Sequence, residues 1–229
     1  MKHSDVITQL DERIRSRSIL GHPFYVAWQR GELNREQLRT YARVYFPHVA
    51  AFPGYLETAI AGAIDPMIRA ELERNLADEM GHPKPHSELW LDFAEELGLN
   101  RRDVAAGVPH PSTAAVVRTF GQAARESTPA ALAALYAYES QQPEVSHEKI
   151  QGLREHYGVQ SARALAYFEL HSTMDTGHRE GEREALGRCL ETGPCADAIA
   201  RGADAGLSAY WQLLDGICEE AGIAINARC

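Results

Sequence analysis

The apolar residues of this chain recur at helical spacing from end to end, and no segment alternates apolar and polar residues as a half-buried strand would. A chain patterned in this way has to bury its core between helices. Its 229 residues are enough to fill one such core, and 45% hydrophobic with 24% charged residues is ordinary for a globular domain. One all-α domain over residues 1–229 is therefore expected, without repeats, low-complexity segments or an evident linker.

Local signals divide the chain. Asn34 reads as an N-cap, with Gln37 three residues later and a run of helix formers to Ile64 behind it. Pro47 and Pro53 inside that run predict a kink or a break. Asp65-Pro66 restarts a helix toward Asp78 and Glu79. Pro83-Lys84-Pro85 distorts the pattern, which resumes through Leu97 before Gly98. Arg101 to Pro111 reads as a loop closed by Ser112 as an N-cap. Thr128-Pro129 opens an alanine- and leucine-rich helix to about Tyr157, and Gly158 stops it. Ser161 starts the next, and Gly193-Pro194 separates it from a final amphipathic helix to about Ala221. The count is seven or eight helices.

Acidic residues outnumber basic ones by 32 to 23, a formal charge of −9. Nucleic acid and anionic membrane surfaces both need a positive face, so neither is expected as a partner. No apolar run is long enough to span a bilayer, and the segment Met1 to Leu10 has no signal-peptide pattern. A cytoplasmic location follows as the expectation. Cys189, Cys195, Cys218 and Cys229 include no Cys-x-x-Cys pair and are expected to be free thiols there, with Cys189–Cys195 the one disulfide left open.

The chemistry concentrates in His171-x3-Asp175-x2-His178. At 100° per residue, the second and third of these point about +40° and −20° from the first, so two imidazoles and a carboxylate share one helix face. That is a metal-binding set, although a solvated polar face produces the same spacing. Glu139 strengthens the metal reading, because it lies in an Ala/Leu helix where an unpartnered carboxylate would be costly. Glu79 adds a third carboxylate, with His82 and His86 downstream. Di-metal bundles recurrently use Glu-x-x-His, which selects His82; yet Pro83 disfavours helical geometry there, and its ring would clash with the Glu79 carbonyl. His86 would share the face of Glu79 only if the helix ran through both prolines, so spacing leaves the two histidines open. Three carboxylates and a bridging hydroxide would balance two divalent ions. Near the front, Tyr25, Trp28, Tyr41 and Tyr45 form an aromatic group that either lines a pocket or packs the core. Lys149, ten residues beyond Glu139 on the same predicted helix, reads on such evidence as a solvated lysine.

The run His22-Pro-Phe-Tyr25, the segment Tyr41 to Tyr55 with Ala51-Phe52-Pro53, Tyr138-Glu139-Ser140-Gln141, Glu148-Lys149-Ile150 and the His171/Asp175/His178 motif occur in this order along nearly the whole chain. Together they resemble the family of the Chlamydia protein associating with death domains and its bacterial relatives. The resemblance implies a haem-oxygenase-like helical bundle, shared more distantly with pyrroloquinoline-quinone synthase and TenA-type proteins. It further implies metal ligands at Glu79, His86, Glu139, His171, Asp175 and His178, and so favours His86 over His82. The implied activity is that of a di-iron or iron/manganese oxygenase that uses dioxygen and an external reductant to make 4-aminobenzoate for folate synthesis. Tyr25 matches the position of the sacrificed tyrosine, Tyr41 that of a second participating tyrosine, and Lys149 that of the amine source. A homodimer is an expectation from fold-level analogy. An oxidase acting on an external small molecule and a non-enzymatic partner-binding protein are the alternative readings; the metal set argues against the latter, because three buried carboxylates without a metal would be destabilising.

Overall fold

In the computed structural model, which describes residues 3–81 and 84–224, eleven α-helices and one 3-10 turn at Ile19–Gly21 account for the architecture. In chain order they are α1 (His3–Ser16), α2 (Pro23–Gln29), α3 (Arg35–Gly62), α4 (Pro66–Glu79), α5 (His86–Glu96), α6 (Arg101–Ala106), α7 (Pro111–Glu126), α8 (Thr128–Glu139), α9 (Gln142–Glu155), α10 (Ala162–Thr192) and α11 (Ala196–Ala221). No described residue is in a strand, and no helix among them is long and apolar enough to cross a membrane. Seven or eight were expected from sequence; the difference lies in α1, α2 and α6, and in α8 and α9, which were expected as one helix.

The helix starts follow cap chemistry. Asn34 accepts from Gln37 N while the Gln37 side chain accepts from Asn34 N, a complete capping box. Asp65 accepts from Met67 N at 2.8 Å, with Pro66 in the first turn where no N–H is missed. Contrary to the loop expected from Arg101 to Pro111, Asn100 caps α6 through Arg102 N and Asp103 N. His110, not Ser112, caps α7, because Pro111 already occupies its first turn. Neither Pro47 nor Pro53 breaks α3. An interior proline costs about 3 kcal/mol or more. Burial of Tyr45, Phe46, Val49, Phe52 and Tyr55 around the two prolines, at about 1.5–3 kcal/mol for a fully buried apolar side chain, offsets this.

A second difference matters more. The helix expected from Thr128 to about Tyr157 ends at Glu139, and α9 starts anew at Gln142. Pro143 explains it: in a continuous helix its ring would meet the carbonyl of Glu139, four residues back. Helix α4 likewise ends at a glutamate, Glu79. Both glutamates are therefore last residues of helices.

The interior is one contiguous apolar cluster to which nearly every helix contributes. At its centre, every residue of α8 from Ala130 to Glu139 is buried, and α7, α10 and α11 surround it. Helix α11 approaches closely through Gly202 and Gly206, where an added Cβ would stand 2.2 Å from Ala130 O and 3.0 Å from Ala134 O. Beside α5, the buried carboxylate of Asp92 is held by Lys84, Arg101 and Arg163, which ties the segment before α5 to α6 and α10. Burial alone would raise the Asp92 carboxyl, but these three hydrogen-bonding cations outweigh it and hold it low. Cys189, Cys195 and Cys218 are free thiols, and Cys229 lies outside the described residues.

The α8–α11 approach sets a stability test. Gly202→Ala puts a methyl group into the Ala130 backbone and should destabilise by about 1–3 kcal/mol in urea unfolding. Gly206→Ala, with ordinary helix propensity in its favour and a milder contact, should cost distinctly less. Equal midpoints for Gly202→Ala and the parent would refute the close approach.

Candidate metal centre

Four helices deliver six convergent side chains. Glu79 ends α4, His86 opens α5, Glu139 ends α8, and His171, Asp175 and His178 lie along one face of α10. None is more than 7% exposed. His86 Nδ1 is 3.0 Å from Glu79 Oε1, and His171 Nε2 is 3.9 Å from the same oxygen. The ligand atoms of these three residues all lie within 4.8 Å of one another. Alongside, His178 Nδ1 is 3.5 Å from Asp175 Oδ1 and 3.7 Å from Glu139 Oε2. Glu79, His86 and His171 thus form a compact donor set, and Glu139 and Asp175 lie beside it around His178 Nδ1. His82 lies outside the described residues.

Outer contacts aim these groups. Tyr167 O accepts from His171 Nδ1 at 2.7 Å, which leaves Nε2 facing Glu79. Asp78 Oδ2 takes His178 Nε2 at 2.9 Å, which leaves Nδ1 facing Asp175 and Glu139. An acceptor on one ring nitrogen fixes the tautomer and presents the lone pair of the other. Asn75 Nδ2 donates to both Glu139 oxygens, at 3.1 and 2.9 Å. Because Glu79 and Glu139 end their helices, the negative ends of two helix dipoles also border the cluster, which favours a cation and disfavours bare carboxylates.

The charges show the same demand. Burial raises Glu139, and neighbouring Asp175 and Glu79 add to the rise against His178 and Asn75. Burial likewise raises Asp175. His171 is lowered, first by burial and then by His86. Burial would lower His178 too, but Asp175, Glu139 and Asp78 outweigh it and raise it. Several donors remain unsatisfied: His86 Nδ1 approaches Glu79 out of line for a hydrogen bond and has no partner, and Asp175 Oδ2 has none either. Bare, buried, convergent nitrogen and oxygen donors are what a bound transition metal would satisfy, so the residues present fit a metal.

A small cavity opens against this cluster, lined by Val49, Phe52, Tyr138 and Tyr167 together with Glu79, Glu139, His171 and Asp175. A wider groove of about 570 Å³ lies on the surface, but Arg179–Glu144 and Arg183–Asp11 pairs flank it and none of the six residues lines it.

Behind the cavity is an aromatic chamber. Tyr45 Oη is 2.9 Å from Tyr138 Oη and 3.1 Å from Tyr210 Oη, and Tyr45 stacks on Trp90. Tyr25 and Tyr41 are fully buried beside Tyr210, and their hydroxyls have no hydrogen-bond partner. Burial raises both phenols well above their usual range. Lys149, read from sequence as a solvated lysine, is instead 1% exposed on α9, the helix that starts anew after Glu139. Its Nζ lies 5.6, 5.5 and 5.4 Å from the ring centres of Tyr25, Tyr41 and Tyr45. Trp90 and Phe168 complete the enclosure, and Lys149 forms no ion pair among the described residues. Burial lowers its ammonium to about 7.

Sequence reasoning missed Asn75, Trp90 and Glu182, and gave Asp78 no role at the site. Signals for two of them were present: Asn75 is one helical turn before Glu79, and Glu182 continues the His171/Asp175/His178 spacing by four more residues.

A family model described as iron-containing redox enzyme, of the haem-oxygenase type, matches residues 39–211. A 4-aminobenzoate synthase of Nitrosomonas europaea is 36% identical over 221 residues, covering 92% of this chain and 90% of that protein. One of Chlamydia pneumoniae is 37% identical over 209 residues, covering 91% and 92%. A crystal structure of a CADD-like protein of unknown function from Nostoc punctiforme superimposes with a TM-score of 0.80 at 21% identity, covering 98% of this chain and 99% of that one, a likeness of fold. The chain belongs to the haem-oxygenase-like family of iron-containing redox enzymes.

Proposed function

We propose that this enzyme is a di-metal oxygenase that forms 4-aminobenzoate, for folate synthesis in the cytoplasm, from its own Tyr25 with Lys149 as the source of nitrogen. The observation that carries the reading is Lys149, buried against the rings of Tyr25 and Tyr41 with no counter-ion among the described residues. Relatives named 4-aminobenzoate synthase, aligned over about nine-tenths of the chain, support it.

Glu79, His86 and His171 would hold one ion, and Glu139, Asp175 and His178 the other, with iron and/or manganese suited to such nitrogen and oxygen donors. Two bound ions would supply activation of dioxygen, drawing on an external reductant. The remaining roles belong to the protein. Burial keeps the Tyr25 and Tyr41 phenols protonated, and the aromatic walls exclude water from them. The same burial makes the Lys149 amine available in its neutral, nucleophilic form near neutral pH. Asp78 and Asn75 hold His178 and Glu139 in place.

About two ions per chain should bind after reconstitution with iron or manganese. Glu139→Ala and His178→Ala should each lower metal content and stop oxygen consumption. Chelation should lower the Tm, because ions bound only to the folded state add stability by mass action. Failure to take up either metal, by elemental analysis, would remove the reading.

If Tyr25 is consumed, product should plateau at or below one per chain. Tyr25→Phe should bind metal normally and yield no 4-aminobenzoate. Protein made with ring-labelled tyrosine should pass the label into product in unlabelled buffer. Repeated turnover on an added substrate would point instead to a conventional oxidase.

The Lys149 ammonium falls from its ordinary 10.5 to about 7. Between those values the unfolded chain keeps a proton that the folded chain has lost, so stability contributed by this residue rises with pH across the window. Lys149→Met removes the buried charge. Its gain in Tm over the parent should be largest at and below pH 7 and should shrink as pH approaches 10. A pH-independent difference would mean Lys149 is not desolvated.

A further inference from the structure

Glu182 stands one turn beyond His178 on α10 and extends the run His171, Asp175, His178 at spacings of four, three and four. Eleven residues at 100° each return to within about 20° of the starting direction, so Glu182 shares the face of the other three. Helical side chains lean toward the N-terminus of their helix, which brings its carboxyl back over the turn that holds His178. The residue is 1% exposed, and neither carboxyl oxygen has a hydrogen-bond partner. The carboxyl lies among those of Glu139, Asp175 and Glu71. Among the described residues it forms no ion pair.

A carboxylate in that position is strongly destabilising unless a cation or a donor meets it. The neighbouring amide is already used, since Asn75 spends its donors on Glu139. Glu71, the other acid beside it, is paired with Arg74 and offers no donor, which leaves the metal-binding set.

We propose that Glu182 is a further carboxylate ligand for the ion held by Glu139, Asp175 and His178, giving that half of the centre four protein donors, three of them oxygen. This rests on the two-ion reading above. It makes the halves chemically unequal: the Glu79/His86/His171 half is rich in nitrogen, whereas this one suits a hard, oxygen-preferring ion such as Mn(II).

The test is a Mn(II) titration of the full chain, followed by elemental analysis and by the EPR spectrum of the bound ion, together with Tm in chelator and in Mn(II). Glu182→Gln keeps the volume and removes the charge. One of the two Mn(II) ions should weaken by tenfold or more, the EPR signature should change, and the metal-induced rise in Tm should shrink. In chelator, Glu182→Gln should melt at or above the parent, because a buried carboxyl among other carboxyls has gone. Unchanged binding of two ions with an unchanged spectrum would overturn the proposal. So would a lower Tm in chelator combined with an undiminished metal-induced rise, the signature of a purely structural residue. Should Glu182→Gln fail to fold, Glu182→Asp retains the charge but shortens the reach; it should also lose the second ion, and its retention would count equally against the proposal. Parent protein that takes up no Mn(II) or Fe(II) would overturn the two-ion reading itself, whereas two ions in parent and variant alike would remove only Glu182.

Discussion

Four carboxylates and three imidazoles meet in the dry interior between α4, α5, α8 and α10, and most of what is unusual in this fold can be traced to that concentration of charge. Buried like charges repel with little screening, and each unpaired carboxylate carries a desolvation cost that packing alone does not return. The surroundings reduce that cost only in part. Asn75 and Asp78 orient Glu139 and His178, while His86 Nδ1, Asp175 Oδ2 and both Glu182 oxygens remain without partners. The two cations proposed above would meet these groups. The ends of α4 and α8 support the same solution, since each delivers a glutamate together with the negative end of a helix dipole.

The aromatic chamber is the complementary half of the design. Its rings place a large apolar volume directly behind the polar cluster, and the hydroxyls of Tyr45, Tyr138 and Tyr210 form a bonded chain through it. Tyr138 belongs to both halves, because it precedes Glu139 and lines the cavity at the metal-binding residues. Lys149 gains its chemistry from this setting. In water its amine would be protonated at neutral pH, but enclosed by Tyr25, Tyr41, Tyr45, Trp90 and Phe168 it loses its proton readily. Under the proposed reading, such an amine is what delivery of nitrogen would require.

Helical class, the caps at Asn34, Asp65 and Ser161, and the alignment of His171, Asp175 and His178 were legible in the chain because they depend on neighbours within a turn or two. A 3.6-residue period fixes the angle between such side chains whatever the rest of the protein does. Glu182 was legible by the same rule, although the triplet alone was read. The helix expected to run past Glu139 shows where local reading loses force: it ends there, with Pro143 four residues on, and Lys149 on the next helix is buried rather than solvated.

The sequence by itself thus determined an all-helical chain with a metal-competent face on one long helix and glutamates at 79 and 139. Only the tertiary structure decided what those groups meet. His86 reaches Glu79 across a broken helix rather than along a continuous one, Asn75 meets Glu139 over 64 residues, and His178 meets Asp78 over 100. Helical periodicity specifies directions within one helix, but the distance between residues on different helices depends on where prolines end each segment and on which apolar faces then pack together.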